Sequence, residues 1–276
     1  MTTETYSKIR VTVMAGVATV TIDNPPVNVM NVQLMTDLWT FLTAVRDDSD
    51  VKVIVFESAD PEFFIAHVDM ALIDEPNAFD ELAKQAGDGL NVFQAFAELV
   101  RHQPQVTIVK LAGLARGGGA EFVAAADMAF AAIGRAGLAQ CEVLMGIVPG
   151  GGGTQYLAGR LGRNRAIEAV LGADLFDAST AERYGWVNRA LPAGDLDDFV
   201  RNLAGNIAGL PDGVIAAAKR AMPTSDLSVG MVREHDAWAS LFVLPAAERL
   251  IRGGLAAGAQ TREGELSLET LLRDLG

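Results

Sequence analysis

The 276-residue chain holds one cysteine, three histidines and only 22 Lys and Arg against 35 Asp and Glu, and each scarcity narrows what it can be. Cys141 alone cannot close an intrachain disulfide, and Met1 to Arg10 have neither the basic start nor the apolar stretch of a secretory signal, so a reducing, cytoplasmic setting is expected. His67, His102 and His235 are scattered and form no metal-ligand spacing, so no metal site is expected. Apolar runs such as Met128 to Ile133 and Leu241 to Ala247 fall far short of the roughly 20 residues that span a bilayer, which argues against a membrane segment. A formal net charge of -13 opposes binding to nucleic acid or anionic lipid. No G-x-S-x-G is present, which weakens a serine-hydrolase reading, and neither glycine run forms a nucleotide phosphate loop or matches G-x-G-x-x-G, which sets nucleotide hydrolysis and dinucleotide binding aside.

What remains is an ordinary folded composition, 50% hydrophobic and 21% charged. Ile9 to Val13 and Val17 to Ile22 alternate around Ala15-Gly16 and read as a hairpin that Asn24-Pro25-Pro26 stops. Asn31 caps a helix whose apolar face is Leu34, Leu38, Phe41, Leu42 and Val45. Val51 to Phe56 forms a strand, Leu82 to Val100 an amphipathic helix, and Val106 to Val109 another strand. A further short strand spans Met128 to Ala132, and a helical segment follows Gly150 to Gly153. Ser179 and Glu182 have capping-box spacing, with Gly185 closing that helix. From Leu196 onward the pattern is helical, in Leu196 to Ala208, Val214 to Met222 and Met231 to Arg252, the last interrupted at Pro245. The expected organisation is an α/β core over residues 1–195 and a helical region over residues 196–276, packed together.

The chemistry concentrates where a strand runs into Gly117-Gly118-Gly119. Glycines at a strand-to-helix turn let backbone approach a ligand, and unpaired N–H groups of a first helical turn can face developing negative charge, although a plain tight turn uses the same residues. Glu121 lies one turn further on, and Glu142 follows Cys141 in apolar sequence. Each carboxylate taken singly could be a salt-bridge partner; together they form the pair that acid/base chemistry needs.

Gly113 to Glu121 with Ala124 to Asp127, then Leu138 to Leu144, then Pro149 to Gln155, and finally Ala178 to Val187 follow in an order and spacing that resemble the enoyl-CoA hydratase/isomerase (crotonase) family. That resemblance implies a crotonase-like α/β core of stacked β-β-α units, with a helical C-terminal region used to form a homotrimer or homohexamer. It implies an acyl-CoA or enoyl-CoA substrate, with coenzyme A entering as part of the thioester and no further cofactor. By position, the oxyanion donors are the N–H groups of Gly118 and Val68, and the acid/base pair is Glu121 and Glu142. Val27 and Ala66 would border the CoA slot, and Phe242 would reach it from the helical part. Hydration of a 2-enoyl-CoA is the activity this implies; double-bond isomerisation, which can use one glutamate, and non-catalytic CoA-ester binding are the alternatives.

Four features depart from the family's common pattern. Ala66-His67-Val68-Asp69 replaces Ala-Gly-Ala-Asp, making the segment before the first donor bulkier. Pro25-Pro26 stands where many relatives place a basic residue, and no lysine follows Lys219, which leaves Arg249 or Arg252 as substitutes near the CoA nucleotide. Cys141 stands where relatives often have proline, and a small buried side chain is its expected role.

Overall fold

The structure is a computed structural model that describes residues 5–276 apart from 88; the first four residues, part of the Met1 to Arg10 stretch read above for a secretory signal, lie outside it. The strands are β1 (Ile9–Met14), β2 (Val17–Ile22), β3 (Val53–Ser58), β4 (Phe63–Ile65), β5 (Val106–Leu111), β6 (Leu114–Arg116), β7 (Met128–Ile133), β8 (Gly137–Ala139), β9 (Phe176–Asp177) and β10 (Arg189–Pro192). The helices are α1 (Val32–Val45), α2 (Asp80–Ala83), α3 (Val92–Arg101), α4 (Gly118–Ala125), α5 (Gly153–Leu161), α6 (Arg163–Gly172), α7 (Ala178–Tyr184), α8 (Leu196–Ala208), α9 (Val214–Ala221), α10 (Ser228–Phe242), α11 (Pro245–Ala257), α12 (Arg262–Glu265) and α13 (Leu268–Arg273).

Two sheets organise the core. One has six strands in the order β1-β2-β3-β5-β7-β10, parallel except for the β1-β2 hairpin, and the other has four in the order β4-β6-β8-β9. Each of three successive passes lays one strand in the large sheet and the next in the small one: β3 then β4, β5 then β6, β7 then β8. Because β4, β6 and β8 are parallel neighbours, the segments that follow them emerge on one edge: Ala66 to Asp69, Gly117 to Glu121, and Gln140 to Glu142. Segments far apart in sequence thus meet through register alone.

The core is apolar and close-packed, as an interior must be to offset chain entropy. Phe56 and Phe96 flank Phe122 of α4 at ring separations of 5.0 and 5.8 Å, all three buried. α4 can lie this close to β4 because Gly119 has no side chain, since a Cβ there would overlap the Ile65 carbonyl oxygen. A second cluster joins Met70, Cys141, Met145 and Ile147 to Ala247 and Ile251 of α11 and to Leu268 and Leu272 of α13. The C-terminal helices therefore cover the edge where the three segments emerge.

Asn31 caps α1 by accepting from the Leu34 N–H at 2.9 Å, and Pro245 begins α11 after α10 ends, both as the sequence indicates. Two expectations fail. The helix expected from Leu82 to Val100 is broken between α2 and α3, where Gly87 and Gly89 stand and Gly89 adopts a positive φ of 82°. The cap of α7 is Asp177, accepting from Thr180 N–H at 2.7 Å, so Ser179 lies inside the helix and forms no capping box. Among the described residues no helix is long and apolar enough to cross a membrane.

Candidate active site

The backbone N–H groups of Val68 and Gly118 on the shared edge have no hydrogen-bond partner among the described residues. Val68 forms a parallel bridge with Met30 in which Met30 N–H donates to the His67 carbonyl at 2.8 Å and Asp69 N–H donates to the Met30 carbonyl at 3.2 Å. That pairing uses the groups on either side of Val68 and turns its own N–H to the opposite edge, beside Gly118. Gly118 is the first residue of α4, and a first-turn N–H has no partner within its helix. The Gly117 N–H is tied instead to the Ala139 carbonyl at 2.9 Å, with Gly117 at φ 47°, and this sharp entry presents the Gly118 N–H to the cavity. Contact between the two segments is tight: a Cβ on Gly118 would lie 2.6 Å from Val68 Cγ2.

A cavity of about 260 Å³ opens beside these donors, lined by Val68, Gly118, Glu121 and Glu142 and walled by apolar side chains that include Met70, Phe93, Met145, Trp238 and Phe242. Trp238 and Phe242 stack at 4.8 Å. Both glutamates are buried, yet their surroundings differ. Glu121 Oε1 accepts the N–H groups of Gly151 and Gly153, each at 2.8 Å, so the second glycine run is a clamp on this carboxylate. Glu142 has no pair of glycine donors among the described residues; its own backbone N–H acts on it, and the buried Gln140 carboxamide, with its nitrogen turned toward it, donates to both oxygens at 3.0 Å.

Burial first, and then the charge of Glu234, push the Glu121 pKa up from 4.5 to about 8, while the two glycine N–H groups act in the opposite sense. Glu142 too is held well above the ordinary carboxyl value, by burial and then by the charge of Glu121. The two glycine N–H groups favour the ionised form of Glu121, and with Glu142 beside the same cavity the site holds two carboxyl groups able to exchange protons with a substrate.

Glu234 has no place in the sequence reading. Buried on α10, it accepts from the N–H groups of Gly152 (2.6 Å) and Thr154 (2.9 Å), the Thr154 hydroxyl and Gln94 Nε2 (3.2 Å). It locks the same glycine loop from below. Its signal was available: Glu234 shares one helical face with Met231 and Trp238, an acidic residue where an apolar one is expected.

The remaining expected site residues fall differently. Phe242 does line the cavity, alongside the carboxylates. Val27 and Ala66 are fully buried in a small cluster with Phe63 and Leu114, joined by the Ala66 N–H donating to the Val27 carbonyl at 3.3 Å, and their side chains are not part of the cavity wall. Arg252 is paired with Asp74 at 2.7 Å and Glu248 at 3.0 Å, and Arg249 donates to the Leu275 carbonyl at 3.4 Å, so both arginines are engaged within the chain. Cys141 is buried against the cavity, and its thiol is held well up in pKa by burial and then by Glu142. His102 approaches Thr224 and His235 approaches Asn91, so the three histidines do not converge.

Paired sheets that feed one shared edge, with buried carboxylates beside it, define a protein of the crotonase-like fold. The chain belongs to the enoyl-CoA hydratase/isomerase family, whose match runs over residues 12–264. It is similar to a candidate enoyl-CoA hydratase from Streptomyces avermitilis of known crystal structure, with 64% identity, a TM-score of 0.97, and 98% of this chain and 99% of that one covered. It is 31% identical to the crotonyl-CoA hydratase of Syntrophomonas wolfei over 220 residues, 78% of this chain and 82% of the relative. It is also 30% identical to the probable enoyl-CoA hydratase echA8 of Mycobacterium tuberculosis over 242 residues, 86% of this chain and 91% of the relative.

Proposed function

We propose that the protein is an enoyl-CoA hydratase that adds water across the double bond of a 2-enoyl-CoA thioester. One observation carries this reading: two buried carboxylates, both raised in pKa, face the same apolar cavity as the backbone of Val68 and Gly118. The thioester carbonyl accepts from Val68 and Gly118. As Glu121 removes a proton from water and the oxygen bonds to Cβ, the Cα–Cβ π electrons move toward the carbonyl and charge collects on its oxygen, where the two donors hold it. The thioester enolate then collapses, Cα takes the proton of Glu142, and a 3-hydroxyacyl-CoA leaves. Loss of one such donor typically costs about 2.7–4 kcal/mol of transition-state stabilisation, and positioned acid/base groups typically contribute about 10²–10⁴-fold. Relatives bearing hydratase names support the assignment.

Its test is a pair of single substitutions. Glu121→Gln and Glu142→Gln are each expected to lower kcat by about 10²-fold or more with little change in CoA-ester affinity. If one variant keeps near-normal turnover while the other is dead, one carboxylate suffices and the enzyme isomerises. If neither matters, the site is a binding site.

The reading extends to assembly and setting. Residues 196–276 serve as an oligomerisation region, supported by the exposed apolar side chains Met222, Val229, Val232 and Val243, and the assembly is a homotrimer or homohexamer. A chain with one buried cysteine suits the cytoplasm.

A further inference from the structure

Behind the oxyanion edge lies a cluster of four charged side chains that the hydration chemistry does not use. His67 Nδ1 is 2.7 Å from the Val68 carbonyl oxygen and its Nε2 is 2.9 Å from Glu265 Oε1. Arg116, fully buried on β6, donates through Nε and Nη2 to Glu269 at 2.6 and 3.1 Å, and its Nη1 faces Glu265 Oε2 at 3.6 Å. Glu265 Oε1 also accepts the Gln260 N–H at 2.8 Å, and Gln260 in turn accepts the Met70 N–H at 2.6 Å and donates to Asp69 at 2.9 Å. Two cations and two anions therefore sit together between the loop that carries Val68 and the short helices α12 and α13.

The geometry fixes the charge on His67. Both ring nitrogens face acceptors, a carbonyl and a carboxylate, and a neutral imidazole has only one N–H to give. With both nitrogens protonated, each contact is a donated hydrogen bond, and the cluster balances at zero net charge, which is how buried ions persist. Of the groups around the ring, Glu265 on α12 favours this state and Arg116 on β6 opposes it, but Arg116 is itself paired with Glu269 on α13, and the thiol of Cys141 stays neutral. Burial pulls His67 down, but the charge and hydrogen bond of Glu265 and the Val68 carbonyl outweigh it and the net direction is up.

We propose that His67 is a permanently protonated positioning residue that aims the Val68 N–H at the thioester oxygen and makes the oxyanion site depend on docking of the C-terminal helices through Glu265. The proposal rests on the hydratase reading for its kinetic consequence but not for the charge itself. The Met30 bridge holds the peptide groups on both sides of Val68, and the imidazolium holds its carbonyl from the other direction; together they leave the Val68 peptide little freedom. The bulky Ala66-His67-Val68 segment, the main departure from the family's common pattern, thereby acquires a purpose.

The test begins with nitrogen NMR of histidine-labelled wild-type protein, which needs no turnover. Two protonated ring nitrogens are expected for His67, persisting well above 6.5, the ordinary histidine value. A neutral tautomer near that pH would overturn the proposal whatever the enzyme's activity. In kinetics, Glu265→Gln should lower kcat roughly tenfold with KM changed less than about twofold, and should bring a new histidine ionisation into the kcat–pH profile. His67→Asn should lose kcat to a similar degree with no such ionisation. An active, unchanged profile in both variants would reduce the cluster to packing alone.

Discussion

At the scale of single residues, Val68 and Gly118 are a matched pair. A Cβ on Gly118 meets Val68 Cγ2 at 2.6 Å, so Gly118→Ala should misplace the loop and lose activity, whereas Gly118→Ala combined with Val68→Ala should recover much of it, as a steady-state assay of the two variants will show. Proline at Gly118 in the Val68→Ala background tests the donor itself. The first position of a helix tolerates proline, so the protein should fold, yet the missing N–H should lower kcat by about 10²–10³-fold. Glu121 carries a second consequence. Its folded pKa, about 8, lies above the ordinary 4.5, so the folded state binds the proton more tightly than the unfolded chain. Between those values stability falls as pH rises, and it recovers when the charge is removed. Glu121→Gln should therefore raise Tm above pH 7 by a few degrees, about 1 kcal/mol or more, while abolishing turnover, and calorimetry at several pH values reads both the sign and the window. At this scale the sequence was largely legible. Glu121 and Glu142 stood out as acids in apolar surroundings, but the clamp of Gly151 and Gly153 on Glu121 joins residues 30 and 32 positions apart, a contact that no local pattern records.

Among elements, legibility followed length and periodicity. The β1-β2 hairpin and α1 have enough residues for their periods of 2 and 3.6 to show, and Asn31 announces its cap. The small sheet has strands of only two or three residues, too short to alternate, although it is what brings Ala66–Asp69, Gly117–Glu121 and Gln140–Glu142 together. The Arg116–Glu269 pair, 153 residues apart, was equally hidden. α4 depends on one missing side chain. Gly119→Ala forces a Cβ into the Ile65 carbonyl, so it should destabilise the fold by about 1–3 kcal/mol and shift α4, lowering activity without touching any acid/base group; chemical denaturation measures the first effect and kcat the second.

For the molecule as a whole, the C-terminal helices are more than a cover, because α10 supplies Glu234 and Trp238 and α11 to α13 supply the walls and charges behind the Val68 and Gly118 segments. Removal of the residues after Asp226 should therefore abolish turnover together with the proposed trimer or hexamer, whose presence in the full-length protein and loss on truncation light scattering reads. The central claim is that this cavity hydrates a conjugated thioester. It is tested most directly by mixing the full-length protein with short- and long-chain 2-enoyl-CoA esters and following the absorbance of the conjugated thioester. The account predicts a loss of that absorbance with formation of a 3-hydroxyacyl-CoA, abolished by Glu121→Gln and by Glu142→Gln alike. Absorbance that stays constant for every ester while the esters still bind, or that falls without a hydroxylated product, would contradict it.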